Sequence, residues 1–171
     1  AATYAADVFS TILNLKTSAL QKALVESGLA FNVSLNYQTC KFTGPIQVFM
    51  VPNPARIKEA VKVLQDEIKK WDSDTYFTDE QLNTAKSQLE ISDAFGKEKT
   101  SDFVHTVTYW WASASIGYYT NYNENIKKVT REDIKSYVRK YIQKQPSAWG
   151  VLVDPKTKSA MNIDETIFEQ K

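Results

Sequence analysis

The chain changes its period across Gly28, in the stretch LVESGLAFNVSLNY from Leu24 to Tyr37. Upstream, Leu20, Ala23 and Leu24 recur at helical spacing within Ser18 to Ser27. Downstream, Phe31, Val33, Leu35 and Tyr37 alternate with Asn32, Ser34, Asn36 and Gln38. Spacings of three and four predict an amphipathic helix, and strict alternation predicts a half-buried strand. Gly28 stands where a C′ glycine in the left-handed conformation ends a helix. A helix therefore has to hand the chain directly to a strand, and the strand has to lay one face on a helical layer.

The remaining pattern extends this unit. Asp7 to Leu15 reads as a first helix, apolar at Val8, Phe9, Ile12 and Leu13. Lys41 to Pro45 reads as a turn, and Ile46 to Val51 as a second strand antiparallel to the first. Asn53 and Pro54 supply an N-cap and a first-turn proline for a long helix striped by Ile57, Ala60, Val61, Leu64, Ile68 and Trp71. Thr78 with Gln81 forms a capping box for the next helix, which Gly96 breaks or kinks. Phe103, Val104, Val107, Trp110, Trp111 and Ala114 stripe another, ending near Gly117. Thr130 caps a helix carrying Ile134, Tyr137, Val138, Tyr141 and Ile142. Ala148 to Val153 reads as a third strand. Segregated strands and helices predict an α+β fold, an antiparallel sheet with helices on one face. The sheet is thin for so many helices, which predicts that a first strand or strands are lacking before Ala1. Residues 1–153 read as a single lobe and 154–171 as a polar C-terminal tail.

Composition narrows the function. The 171 residues suffice for one domain with a real core. A formal charge of +1 gives bulk electrostatics no role in binding nucleic acid or a membrane surface. No apolar run reaches the ~20 residues of a membrane span. Cys40 is the only cysteine and His105 the only histidine. Zinc sites draw on several such ligands, so the chain itself is expected to hold no cofactor. A Ser/His/Asp triad is arithmetically open, but no G-x-S-x-G elbow nominates its serine.

Three segments together carry a resemblance: LVESGLAFNVSLNY, the helix start FTDEQLNTAKSQLE, and NENIKKVTREDIKSYVRKYI followed by a short apolar strand. Their order and spacing resemble the C-terminal, non-catalytic lobe of the pitrilysin, insulin-degrading enzyme and mitochondrial processing peptidase family of zinc metallopeptidases. The resemblance covers roughly Ala5 to Val153. It implies a chain without chemistry of its own, packed against a catalytic zinc-binding lobe in the same precursor or on a partner chain. Zinc would sit on that partner, held by an inverted H-x-x-E-H motif. Together the lobes would enclose a chamber for peptides, with no nucleic acid and no membrane span involved. Many two-lobe members are exported, so the resemblance favours an extracytoplasmic site such as the bacterial periplasm.

In active members this lobe contributes an arginine and a tyrosine to substrate binding. Those positions fall on Leu24 and Phe31, and both polar groups are replaced. Sliding the alignment brings Gln21 or Lys22 near the arginine slot, but no arginine. Leu24 and Phe31 are accordingly expected to be buried where helix, turn and strand meet. His105 reads as an ordinary structural or surface residue. Tyr109, Trp110, Trp111, Tyr118 and Tyr119 read as core and lobe-interface packing. The basic run Lys127, Lys128, Arg131, Lys135, Arg139, Lys140 and Lys144 reads as a solvated helix face. Two other classes stay open: a structural scaffold subunit of a larger assembly with no peptidase role, and an unrelated α+β ligand-binding domain.

Overall fold

The computed structural model describes residues 2–42, 44–143 and 145–169. Helix α1 (Ala2–Asn14) leads through Ser18 into a short α2 (Ala19–Gln21), which widens into a π-turn over Lys22–Glu26. Strands β1 (Ala30–Tyr37) and β2 (Ile46–Pro52) follow, then α3 (Ile57–Lys70) and α4 (Asp79–Phe95). The rest is α5 (Thr100–Ser113), α6 (Ile116–Thr120), α7 (Tyr122–Lys128), α8 (Arg131–Tyr141) and α9 (Pro155–Ala160).

Helix α1 is the hub. Its buried Ala5, Ala6, Val8, Phe9, Ile12 and Leu13 form its inner side, and it packs on β1, α4 and α8. The alanines of Ala2 to Ala6 are strong helix formers, which explains a start five residues before the expected Asp7. Phe9 meets Trp71 of the α3 end edge-on, ring centroids 5.4 Å apart. The Trp71 indole N–H donates to Tyr76 Oη, which donates to Glu67 Oε2, and Lys70 pairs with the other carboxylate oxygen. Burial and the Glu67 carboxylate both push the Tyr76 hydroxyl pKa upward.

The expected caps are present. Asn53 Oδ1 accepts from Ala55 N. Thr78 and Gln81 make a reciprocal capping box, and Thr130 and Asp133 make another. Helices cover one face of the antiparallel β1–β2 pair, as an α+β lobe requires. The outer edge of β1 is covered by side-chain amides. Asn14 Nδ2 donates to Leu35 O and Asn14 Oδ1 accepts from Leu35 N, while Gln21 Nε2 donates to Val33 O. Amides standing in for a neighbouring strand blunt an edge that another chain could otherwise pair with.

Three expectations need correction. Residues 148–153 are not a strand: they make no ladder, and Leu152 is fully exposed. A short apolar run carries no periodicity that marks a strand, and the edge of β1 is already occupied. Val153 packs instead near Ile57, Val61 and Ile163. The segment after Pro155 is not merely polar, because Ile163 is buried against α3 and Gln65 Nε2 donates to Phe168 O. Its last residues, Gln170 and Lys171, lie outside the described residues, as does Thr43 of the predicted turn. Finally, α5 buries none of its residues, so the core half of the expectation for its aromatic stripe fails.

Candidate functional site

Gly28 adopts φ +73°, the left-handed conformation the period change calls for. Its N–H donates to Val25 O at 3.0 Å, closing the π-turn. Asn53 N donates to Leu29 O, and Arg56 Nη1 to Ser27 O, so the start of α3 clamps the turn from outside. A wide helical turn next to a site of interest is a common device for re-aiming side chains.

Leu24 and Phe31 part company here. Leu24 is fully buried in the main core. Phe31 is 68% exposed, contrary to the expected burial. The cause is a register shift between Ala30 and Asn32, opposite Pro52 and Val51. A bulge inserts one residue, and the period of two is broken at that point. Phe31 therefore turns outward although Val33 and Leu35 face the core as expected. Gln21 is committed to Val33 O, and Lys22 is exposed.

Outside, the hairpin presents an apolar face. Val51 stands opposite Asn32, and Phe49 opposite Ser34. Phe49 is 58% and Val51 39% exposed, so with Phe31 they make one patch near the bulge. Asn32, Ser34, Asn36 and Gln47 supply polar groups around it.

Four cations of the basic run form ion pairs across the surface. Arg131 joins Asp79 and donates to Asp74 O and Phe77 O. Lys135 joins Asp74 and Glu132, Arg139 joins Asp72 and Glu132, and Lys127 joins Glu90. These cations tie α8 and α7 to the α3–α4 side. Lys144 lies outside the described residues. His105 is exposed on α5, and Cys40 is a half-buried free thiol. Among the described residues no group of three His, Cys, Asp or Glu side chains could hold a metal ion. No described helix is long and apolar enough to cross a membrane.

The sequence reading missed Asp7. It sits at a partly covered position of α1, and Tyr122 Oη donates to its Oδ2 at 2.8 Å. Burial raises its carboxyl pKa to about 6, against the lowering effect of that hydrogen bond. Around it, Tyr118 stacks between Tyr4 and Trp110 at 5.0 and 4.7 Å, and burial raises the Tyr118 hydroxyl pKa to about 12. The available signal was a carboxylate inside the otherwise apolar run AADVF, with tyrosines and tryptophans distant in sequence to receive it.

A comparison with curated proteins gives no match. The sequence profile described as Peptidase M16 inactive domain matches residues 1–89. The match holds α1, the Gly28 turn, both strands, α3 and the capped start of α4, which build much of the core and aim Phe31. It bears out the resemblance of the helix–glycine–strand unit, and the chain belongs to the pitrilysin-type M16 peptidase family as its inactive domain.

Proposed function

We propose that the chain is the non-catalytic lobe of a pitrilysin-type zinc metallopeptidase, and that it packs against a catalytic lobe to wall a peptide-binding chamber. The observation that carries this reading is the outward turn of Phe31 at the position of the family tyrosine, continuous with Phe49 and Val51. An open apolar face rimmed by amides and hydroxyls suits an extended peptide, which offers alternating side chains and backbone hydrogen bonds. Phe31 keeps the ring of the family residue without its hydroxyl, so it contributes packing and not polarity. Leu24 contributes only by holding the turn from within. The catalytic lobe would carry the zinc and activate the water, and this chain would bind and orient the peptide.

The test is reconstitution with a catalytic lobe bearing H-x-x-E-H, taken from the same precursor or a neighbouring reading frame. Chelator-sensitive hydrolysis of an unstructured peptide should require both lobes. A stable pair without hydrolysis would support a scaffold instead. Hydrolysis by the catalytic lobe alone at the paired rate would contradict the proposal.

A further inference from the structure

Asp7 is a carboxylate without a counter-ion among the described residues. Tyr122 occupies Oδ2, while Oδ1 receives no hydrogen bond from the described residues. No lysine or arginine among them pairs with it. The residue is partly covered, and a partly desolvated charge left without a partner is costly. Asp7 lines a cleft of about 270 Å³. The walls are Tyr37 at the end of β1, Gln38 and Thr39 just beyond it, Tyr109 and Trp110 of α5, and Tyr122 of α7. Tyr109 and Trp110 meet edge-on at 5.3 Å, and Trp110 lies 6.5 Å from Tyr122 at an interplanar angle of 35°. Tyr109 Oη donates to Thr39 O, whose second lone pair stays available.

Aromatic walls around one anion match the chemistry of an organic cation. A divalent metal would want several oxygen ligands, and only one carboxylate is present. A neutral ligand would leave the charge uncompensated. A quaternary ammonium would leave both acceptors without a proton. We infer that the cleft binds a primary ammonium on a short alkyl chain. Its N–H groups donate to Asp7 Oδ1 and Thr39 O, and its carbons lie against Tyr109 and Trp110. The cation comes from a lysine side chain or from a free alkylamine. The inference does not depend on the peptide-chamber reading.

The titratable groups facing Asp7 are Tyr4 of its own helix, Tyr37 of β1, Tyr109 of α5, Tyr118 of α6, Tyr122 of α7 and Tyr137 of α8. Asp93 of α4, farther off, is held by Lys97 and Asn123. Phenols stay neutral near pH 6 and alkylamines stay charged. Asp7 alone therefore gates binding in that range.

The experiment titrates the full chain with butylammonium, N-acetyl-lysine N-methylamide and tetramethylammonium, following the Trp110 indole N–H by NMR. At least one primary amine should saturate, with a Kd of about 1 mM for so small a probe. Binding of the lysine amide at least as tight as butylammonium identifies a side chain as the source, and binding of butylammonium alone identifies a free amine. Kd should rise about tenfold for each pH unit below the Asp7 pKa. Asp7→Asn, which keeps the acceptor for Tyr122, should weaken binding at least about tenfold. The inference is overturned by no saturable shift with either primary amine, by binding that ignores Asp7→Asn or pH, or by tetramethylammonium binding as tightly as the amines.

Discussion

Helices α1 and α5 differ by a single residue in length and both carry an apolar stripe, yet they end in opposite environments. Helix α1 buries residues around its inner side because β1, α4 and α8 all close on it. Helix α5 leans chiefly on α6 and leaves Phe103, Val104 and Trp111 exposed, Trp111 by 71%. Periodicity reports which side of a helix is apolar. It does not report whether anything within the same chain covers that side. The energetic weight of a stripe is set by its partners, and substitutions separate the two helices.

The largest effect is expected at the hub. Phe9→Ala should lower unfolding free energy by ~3–5 kcal/mol, as for a phenylalanine removed from a packed core. Trp111→Ala on α5 should change it by no more than about 0.5 kcal/mol. Denaturant titration of both variants measures the contrast, and similar losses would mean that α5 is part of the core in solution.

Leu24 and Phe31 repeat the contrast at one turn. Leu24→Ala should cost ~2–5 kcal/mol. Phe31→Ala should stay within about 0.5 kcal/mol, like other exposed positions. A loss at Phe31 as large as at Leu24 would show that the bulge turns its ring inward.

Asp7 sharpens the picture of α1 through pH. Its folded pKa, raised to about 6, lies above the value of about 3.9 in an unfolded chain. The native state therefore binds the proton more tightly. That contribution is fully present below about pH 4 and is lost as pH rises through about 6. Asp7→Asn should melt like the wild type near pH 4 and gain up to about 3 kcal/mol near pH 8. An advantage that shrank with rising pH would contradict a partly covered carboxylate with no ion-pair partner among the described residues. A smaller effect belongs to the caps: Thr78→Ala and Thr130→Ala should each cost ~1 kcal/mol.

Much of this architecture is legible in the sequence because it is local. The left-handed Gly28, the Asn53 cap, the capping boxes at Thr78 and Thr130, and the burial of Val33 and Leu35 all follow from side chains within a few positions of one another. What escaped depends on pairs distant along the chain. The bulge that exposes Phe31 is a property of the register between β1 and β2. The hold of Asn14 and Gln21 on the edge of β1 joins residues 21 and 12 positions apart. The setting of Asp7 needs Tyr122, more than a hundred positions away.

The central claim is that the Phe31–Phe49–Val51 face contacts peptide. The most direct test is the steady-state kinetics of the reconstituted lobe pair with Phe31→Ser, alongside sedimentation of the pair. The account predicts intact pairing, a nearly unchanged kcat and a KM raised about tenfold, the loss expected from one aromatic contact. A KM equal to that of the wild type, with pairing intact, would contradict it.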